Sequence, residues 1–136
     1  MDEYSFTEKD LQAVIDGNFA AFERLKRQSN QTILENREKL DELILTTGTL
    51  AHILNAYWRG ELAPEILGEW ASFIRWGSFM SPESERIRSV DINIEYDPSF
   101  EDEIIEIIGR LDEIGDIIDG EVNKDEVESM LKTIPQ

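Results

Sequence analysis

Residues 100–120 read FEDEIIEIIGRLDEIGDIIDG, and this stretch decides the fold. Ile104, Ile107, Ile108, Leu111, Ile114, Ile117 and Ile118 recur at three- and four-residue steps, which places them on one helical face. Acids fill the other faces, and Gly120 supplies a C-terminal stop. Such a stripe must be covered by neighbouring elements, so it points to a helical bundle. Beyond it, Val127, Met130, Leu131 and Ile134 mark a last amphipathic helix.

Immediately upstream the pattern changes. Val90-Asp91-Ile92-Asn93-Ile94-Glu95-Tyr96 alternates strictly, which is the strand signature, and Asp97-Pro98-Ser99 ends it. Gly77, Ser78, Ser81 and Pro82 mark a loop before it. With no second strand in the pattern, the segment is either an extended connector, the favoured reading, or an edge awaiting another molecule.

Further upstream the signal is helical again. Ile66, Leu67, Trp70, Phe73 and Ile74 follow Pro64, which suits a first helical turn. Leu50, Ile53, Leu54, Tyr57 and Trp58 form another face between a weak break at Gly48 and a stop at Gly60. So short a link predicts an antiparallel hairpin of these two helices. Thr7 with Asp10 suggests an N-cap, followed by Leu11, Val14 and Ile15 and a stop at Gly17. Asn18 caps a second run with Phe19, Phe22 and Leu25. The polar residues 28–32 interrupt it before Ile33, Leu34, Leu40, Leu43 and Ile44 resume, as one bent helix or two. The expected fold is therefore mainly all-α: one domain over 1–136, with about five to six helices and one extended segment near 87–97.

Charge is distributed unevenly. From Asp91 onward 15 acids face only Arg110, Lys124 and Lys132, a local balance of −12 within a formal net charge of −17. That field repels nucleic acid and anionic membrane and steers basic partners inward. Forty per cent hydrophobic residues, three of them tryptophan, exclude a disordered acidic tail. The absence of cysteine excludes disulfides and thiolate metal sites. The first residues lack a signal-peptide layout and no apolar run reaches membrane-span length, so a cytoplasmic location is expected.

Little in the chain suggests a reaction. His52 is the only histidine and sits on an apolar helix, where a hydrogen-bonded structural role is expected. The carboxylate pairs Glu103/Glu106, Asp112/Asp116 and Asp116/Asp119 lack the Glu-x-x-His of a helical di-metal site. Neither a glycine-rich phosphate loop nor a Gly-x-Ser-x-Gly motif occurs. The turn at Gly120-Glu121-Val122 repeats Gly60-Glu61-Leu62 and resembles half an EF-hand, with Glu126 at the twelfth position. Gly115 and Ile117 then occupy the front ligand positions, which argues against calcium. No enzyme activity, cofactor or metal is expected. Like charges at helical spacing destabilise a helix by about a few tenths of a kcal/mol per pair, which marks 101–119 as a binding surface. Trp58 and Trp70 suit a core, whereas Trp76 lies at a helix end where an exposed aromatic would anchor a partner.

The segments Tyr57-Trp58-Arg59-Gly60-Glu61-Leu62-Ala63-Pro64-Glu65 and Glu69-Trp70-Ala71, with the acidic helix and the Asp119-Gly120-Glu121-Val122 turn, carry a resemblance. In these segments the chain resembles the small acidic immunity proteins of bacterial toxin systems, of the colicin-like and contact-dependent-inhibition kind. The resemblance implies a cytoplasmic bacterial protein that binds a cognate toxin domain, often a basic nuclease, and blocks its active site. The charge contacts expected on this reading are Glu103, Glu106, Asp112, Glu113 and Asp116, with Trp76 or Tyr96 as anchor. The alternative is an acidic adaptor that uses 90–96 as an added strand, with a peptide or with a second copy as a homodimer.

Overall fold

Most helices of this chain start where a side chain takes over an amide that the first turn leaves without a partner. The computed structural model describes residues 6–84, 86–114 and 122–135. Asp10 accepts from the Thr7 amide at 2.8 Å and opens α1 (Glu8–Ile15). Asn18 accepts from the Ala21 amide at the start of α2 (Phe19–Leu25), and Ser29 from Thr32 at the start of α3 (Asn30–Glu38). The polar run 28–32 thus separates two helices. Thr46 caps α4 (Thr47–Trp58), Pro64 opens α5 (Pro64–Trp76), and Asn123 caps α7 (Lys124–Lys132). Between the last two lies α6 (Glu101–Asp112), preceded by a single 3-10 turn, Pro98–Phe100. The fold is mainly helical, with seven α-helices among the described residues and two small two-stranded sheets.

Several expectations are corrected. The helical pattern over 33–44 stops at Glu38, and Ile44 instead belongs to strand β1 (Ile44–Leu45). Gly48 lies inside α4, because Thr46 caps the helix ahead of it. The α4–α5 link does not produce a hairpin. Instead α5 packs along α6, and α4 along α7. Leu67, Trp70 and Phe73 carry the buried face of α5, and Gly68 lets Ile114 approach where a Cβ would meet the Ile114 carbonyl at 3.1 Å. On the α4 side, Tyr57 donates to the Val122 carbonyl at 2.9 Å and Trp58 to Glu128 at 3.2 Å. Trp58 is therefore a half-exposed clasp on α7 and not a core residue, with Lys124 stacked 4.7 Å from its ring. The acidic helix ends at Asp112, short of Gly120; residues 115–121, with Asp116, Ile117, Ile118, Asp119 and Gly120, lie outside the described residues.

The alternating segment has partners within the chain after all. Strand β4 (Glu95–Tyr96) pairs in parallel with β1, with Ile44 opposite Glu95 and Leu45 opposite Tyr96. Farther back, β2 (Ser78–Met80) and β3 (Ile87–Ser89) form an antiparallel hairpin. Residues 91–94 between them form no ladder: Asn93 turns to φ 51°, and Arg37 donates to the carbonyls of Ile92 and Asn93. Alternation still describes burial there, with Val90 and Ile92 inside and Asp91 and Asn93 outside. The outer edges of the hairpin are also engaged, since Glu69 accepts from the Met80 amide and Asn30 donates to the Ser89 carbonyl.

The core joins every helix. Leu11, Phe22, Leu25, Ile33, Leu50, Leu54, Trp70, Phe73, Ile104, Leu111 and Val127 are fully buried. Phe22, Phe73 and Phe79 form a chain of rings at 5.3 and 6.0 Å, and Trp70 donates to the Val14 carbonyl at 2.9 Å. No helix of the described residues is long and apolar enough to cross a membrane.

Candidate functional site: an acidic trough between α6 and α7

Because α6 packs on α5 and α7 on α4, these two helices flank an open trough. They are tied across it by Arg110, whose guanidinium donates to both oxygens of Glu126 at 2.8 and 3.0 Å. The trough encloses about 740 Å³. Ile105, 51% exposed, is its one exposed large apolar side chain, while Ile107 and Met130 border it from the buried core. Its rim carries Glu103, Glu106 and Glu113 from the α6 side and Asp125 and Glu126 from α7.

The cations at the rim are already engaged. Arg110 bonds Glu126 and also Glu113 at 3.2 Å. Arg75 reaches past Gly109 to Asp112 at 3.1 Å. Glu103, Glu106 and Asp125 make no ion pair or hydrogen bond among the described residues. The trough therefore presents uncompensated negative charge beside one exposed isoleucine, Ile105, an arrangement that complements a cationic surface.

Three of the expected contacts, Glu103, Glu106 and Glu113, meet at this trough. Asp112 turns away from it. Its carboxylate, 14% exposed, accepts from Arg75 and from the Trp76 indole at 3.0 Å, so it clamps α6 to the end of α5. Trp76 is 60% exposed, with the Arg75 guanidinium 4.7 Å from its ring. Trp76 and Tyr96 line a second cavity of about 380 Å³ with residues 90–94, and Arg75 borders both cavities. Burial pushes the Tyr96 hydroxyl pKa up, opposed by the nearby Arg75 charge. Asp116 lies outside the described residues.

Sequence reasoning missed Ile105, Met130 and Asp125 as trough residues. Ile105 carried a usable signal: it is the isoleucine of this helix that does not fit the buried stripe. His52 is exposed on α4 and its side chain makes no hydrogen bond among the described residues, which corrects the hydrogen-bonded structural role expected for it. Among the described residues no group of three or more His, Asp or Glu is placed to hold a metal. Glu126, the twelfth position of the half EF-hand, is bonded to Arg110 instead. Compared with protein-family models, curated proteins and solved structures, the chain matches none.

Proposed function

We propose that this protein is a non-enzymatic inhibitor that binds a basic protein, in the manner of a bacterial immunity protein neutralising its cognate toxin domain. The observation that carries the reading is the pair Glu103 and Glu106. Both stand unpaired on the trough rim beside Asp125, while Arg75 and Arg110 are spent on internal bonds. Acids so placed speed encounter with a cationic groove, such as one that holds phosphates in a nuclease, and an apolar contact then slows release. The net charge of −17 disfavours nucleic acid itself as the ligand.

The test is affinity capture from lysate with salt elution, followed by kinetics on the captured basic protein. Glu103→Lys with Glu106→Lys should lower the association rate about tenfold or more at low salt and flatten its salt dependence. An unchanged association rate would remove the basis of the proposal.

A further inference from the structure

Pairing with β1 uses only one edge of β4. The Glu95 amide donates to the Leu43 carbonyl at 2.8 Å, and the Asp97 amide to the Leu45 carbonyl at 3.1 Å. Successive residues of a strand turn their amides and carbonyls to opposite edges, so those of Ile94 and Tyr96 point away from β1. They have no hydrogen-bond partner among the described residues. Ile94 and Tyr96 also border the 380 Å³ cavity, which they share with the last turn of α5, Phe73 to Gly77. Trp76 is exposed there, yet its ring is fixed by the Asp112 carboxylate and the Arg75 guanidinium. An unpaired edge beside a fixed, exposed aromatic is a template for an added strand. From these features we infer that the free edge of β4 receives an extended, cationic segment of a partner protein.

Backbone chemistry selects the extended form, because a strand is what meets amides and carbonyls spaced two residues apart along an edge. The side chains select charge and alternation. Along 90–96, Asp91, Asn93 and Glu95 are exposed, Val90 and Ile92 are buried, and Ile94 and Tyr96 are half-buried. The Asp91 and Glu95 carboxylates have no partner among the described residues. An added strand therefore meets acid on one face and apolar surface on the other. Lysine or arginine at alternate positions complements the first, and aliphatic residues between them complement the second. A second copy of the chain would set Glu95 against the same acidic face, and like charges across strands repel. The edge is separate from the α6–α7 trough, and the inference does not rest on the inhibitor reading.

Fluorescence anisotropy tests this with a labelled peptide of about eight residues in which lysine and valine alternate. Two further versions are N-methylated, one at every lysine amide and one at every valine amide. Both keep the charge and the side chains, and each removes the donors from one edge of the peptide. In about 50 mM salt, one methylated version should bind about tenfold or more weakly than the parent, while the other stays within about twofold. Glu95→Lys should weaken the parent peptide about threefold or more beyond Glu83→Lys, an equal charge change in the turn between β2 and β3. Equal binding of all three peptides would reduce the contact to charge alone and overturn the added strand. Equal loss in both methylated versions would overturn it too, since an edge reads one set of amides, as would equal effects of the two substitutions. Failure of the parent peptide to bind even in about 20 mM salt would have the same force. None of these outcomes bears on the trough, which the association kinetics of Glu103→Lys with Glu106→Lys test separately.

Discussion

Asp112 is the acid whose role sequence and structure assign most differently, and its substitution yields a number. Asp112→Ala removes two acceptor bonds, from Arg75 at 3.1 Å and from the Trp76 indole at 3.0 Å. The Arg75 side chain is 42% exposed, so that pair contributes about 0.5–1 kcal/mol after solvent screening. The indole bond to a mostly buried carboxylate contributes about 1 kcal/mol. Against this, an acid on the last residue of α6 opposes the helix dipole, and removing it returns about 0.3–0.5 kcal/mol. The net loss is about 1–1.5 kcal/mol. At about 2.1 cal/mol/K per residue for 136 residues, the midpoint should fall by about 3–5 °C. Circular dichroism melts of wild type, Asp112→Ala, Arg75→Ala and the double variant should show a coupling of about 0.5 kcal/mol between the two positions. Asp112→Asn keeps an acceptor for the indole and should lose roughly half as much. A midpoint shift under about 1 °C for Asp112→Ala, or zero coupling to Arg75, would refute the clamp and return Asp112 to the list of free charges.

Other perturbations reach different parts of the fold. Gly77 ends α5 at φ 70°, and an added Cβ would lie 1.9 Å from the Val90 carbonyl oxygen. Gly77→Ala should therefore cost more than about 2 kcal/mol in urea unfolding, and a near-neutral result would contradict the turn geometry. Tyr96 titrates above its ordinary value because of burial, so the unfolded chain releases the phenolic proton first as pH rises. Its stabilising contribution is then complete below about pH 10 and declines above it. Urea midpoints of Tyr96→Phe should fall less steeply between about pH 9 and 11 than those of wild type, and equal slopes would argue against a buried hydroxyl. Glu106→Gln should stabilise the fold by about a few tenths of a kcal/mol while weakening the basic partner, and a loss of thermal stability would show that Glu106 serves the fold instead.

Legibility followed the range of the interaction. Helix starts at Thr7, Asn18 and Pro64 were readable because a cap or a proline acts within three residues of itself. β1 was not, since two apolar residues, Ile44 and Leu45, continue a helical spacing just as well. Their strand character comes from Glu95 and Tyr96, some fifty positions away, through a parallel pairing that local pattern does not encode. The same holds for the helix pairing. A short link at Gly60 suggested that α4 and α5 lie together, yet Trp58 and Tyr57 commit α4 to α7, while Gly68 opens α5 to Ile114 at the end of α6. For the site, Glu103, Glu106 and Glu113 were legible as acids of one helix. That Asp112 faces another way depended on Arg75 and Trp76, which arrive from α5.

The acids of α6 are thus not one class. Glu101, Asp102 and Glu103 occupy the first turn, where the helix dipole favours negative charge. Asp112 is held by Arg75 and Trp76, and Glu113, just past the helix, by Arg110. Glu106 has none of these supports. It stands mid-helix, and although Arg110 follows at the favourable four-residue spacing, that guanidinium is turned to Glu126 and Glu113. Glu103 lies three residues before it with the same charge, so the pair repels. Folding alone would be served better by glutamine at this position. The acidity of the whole helix is therefore a weaker sign of binding than this one residue, which borders the α6–α7 trough and has no stabilising side-chain partner among the described residues.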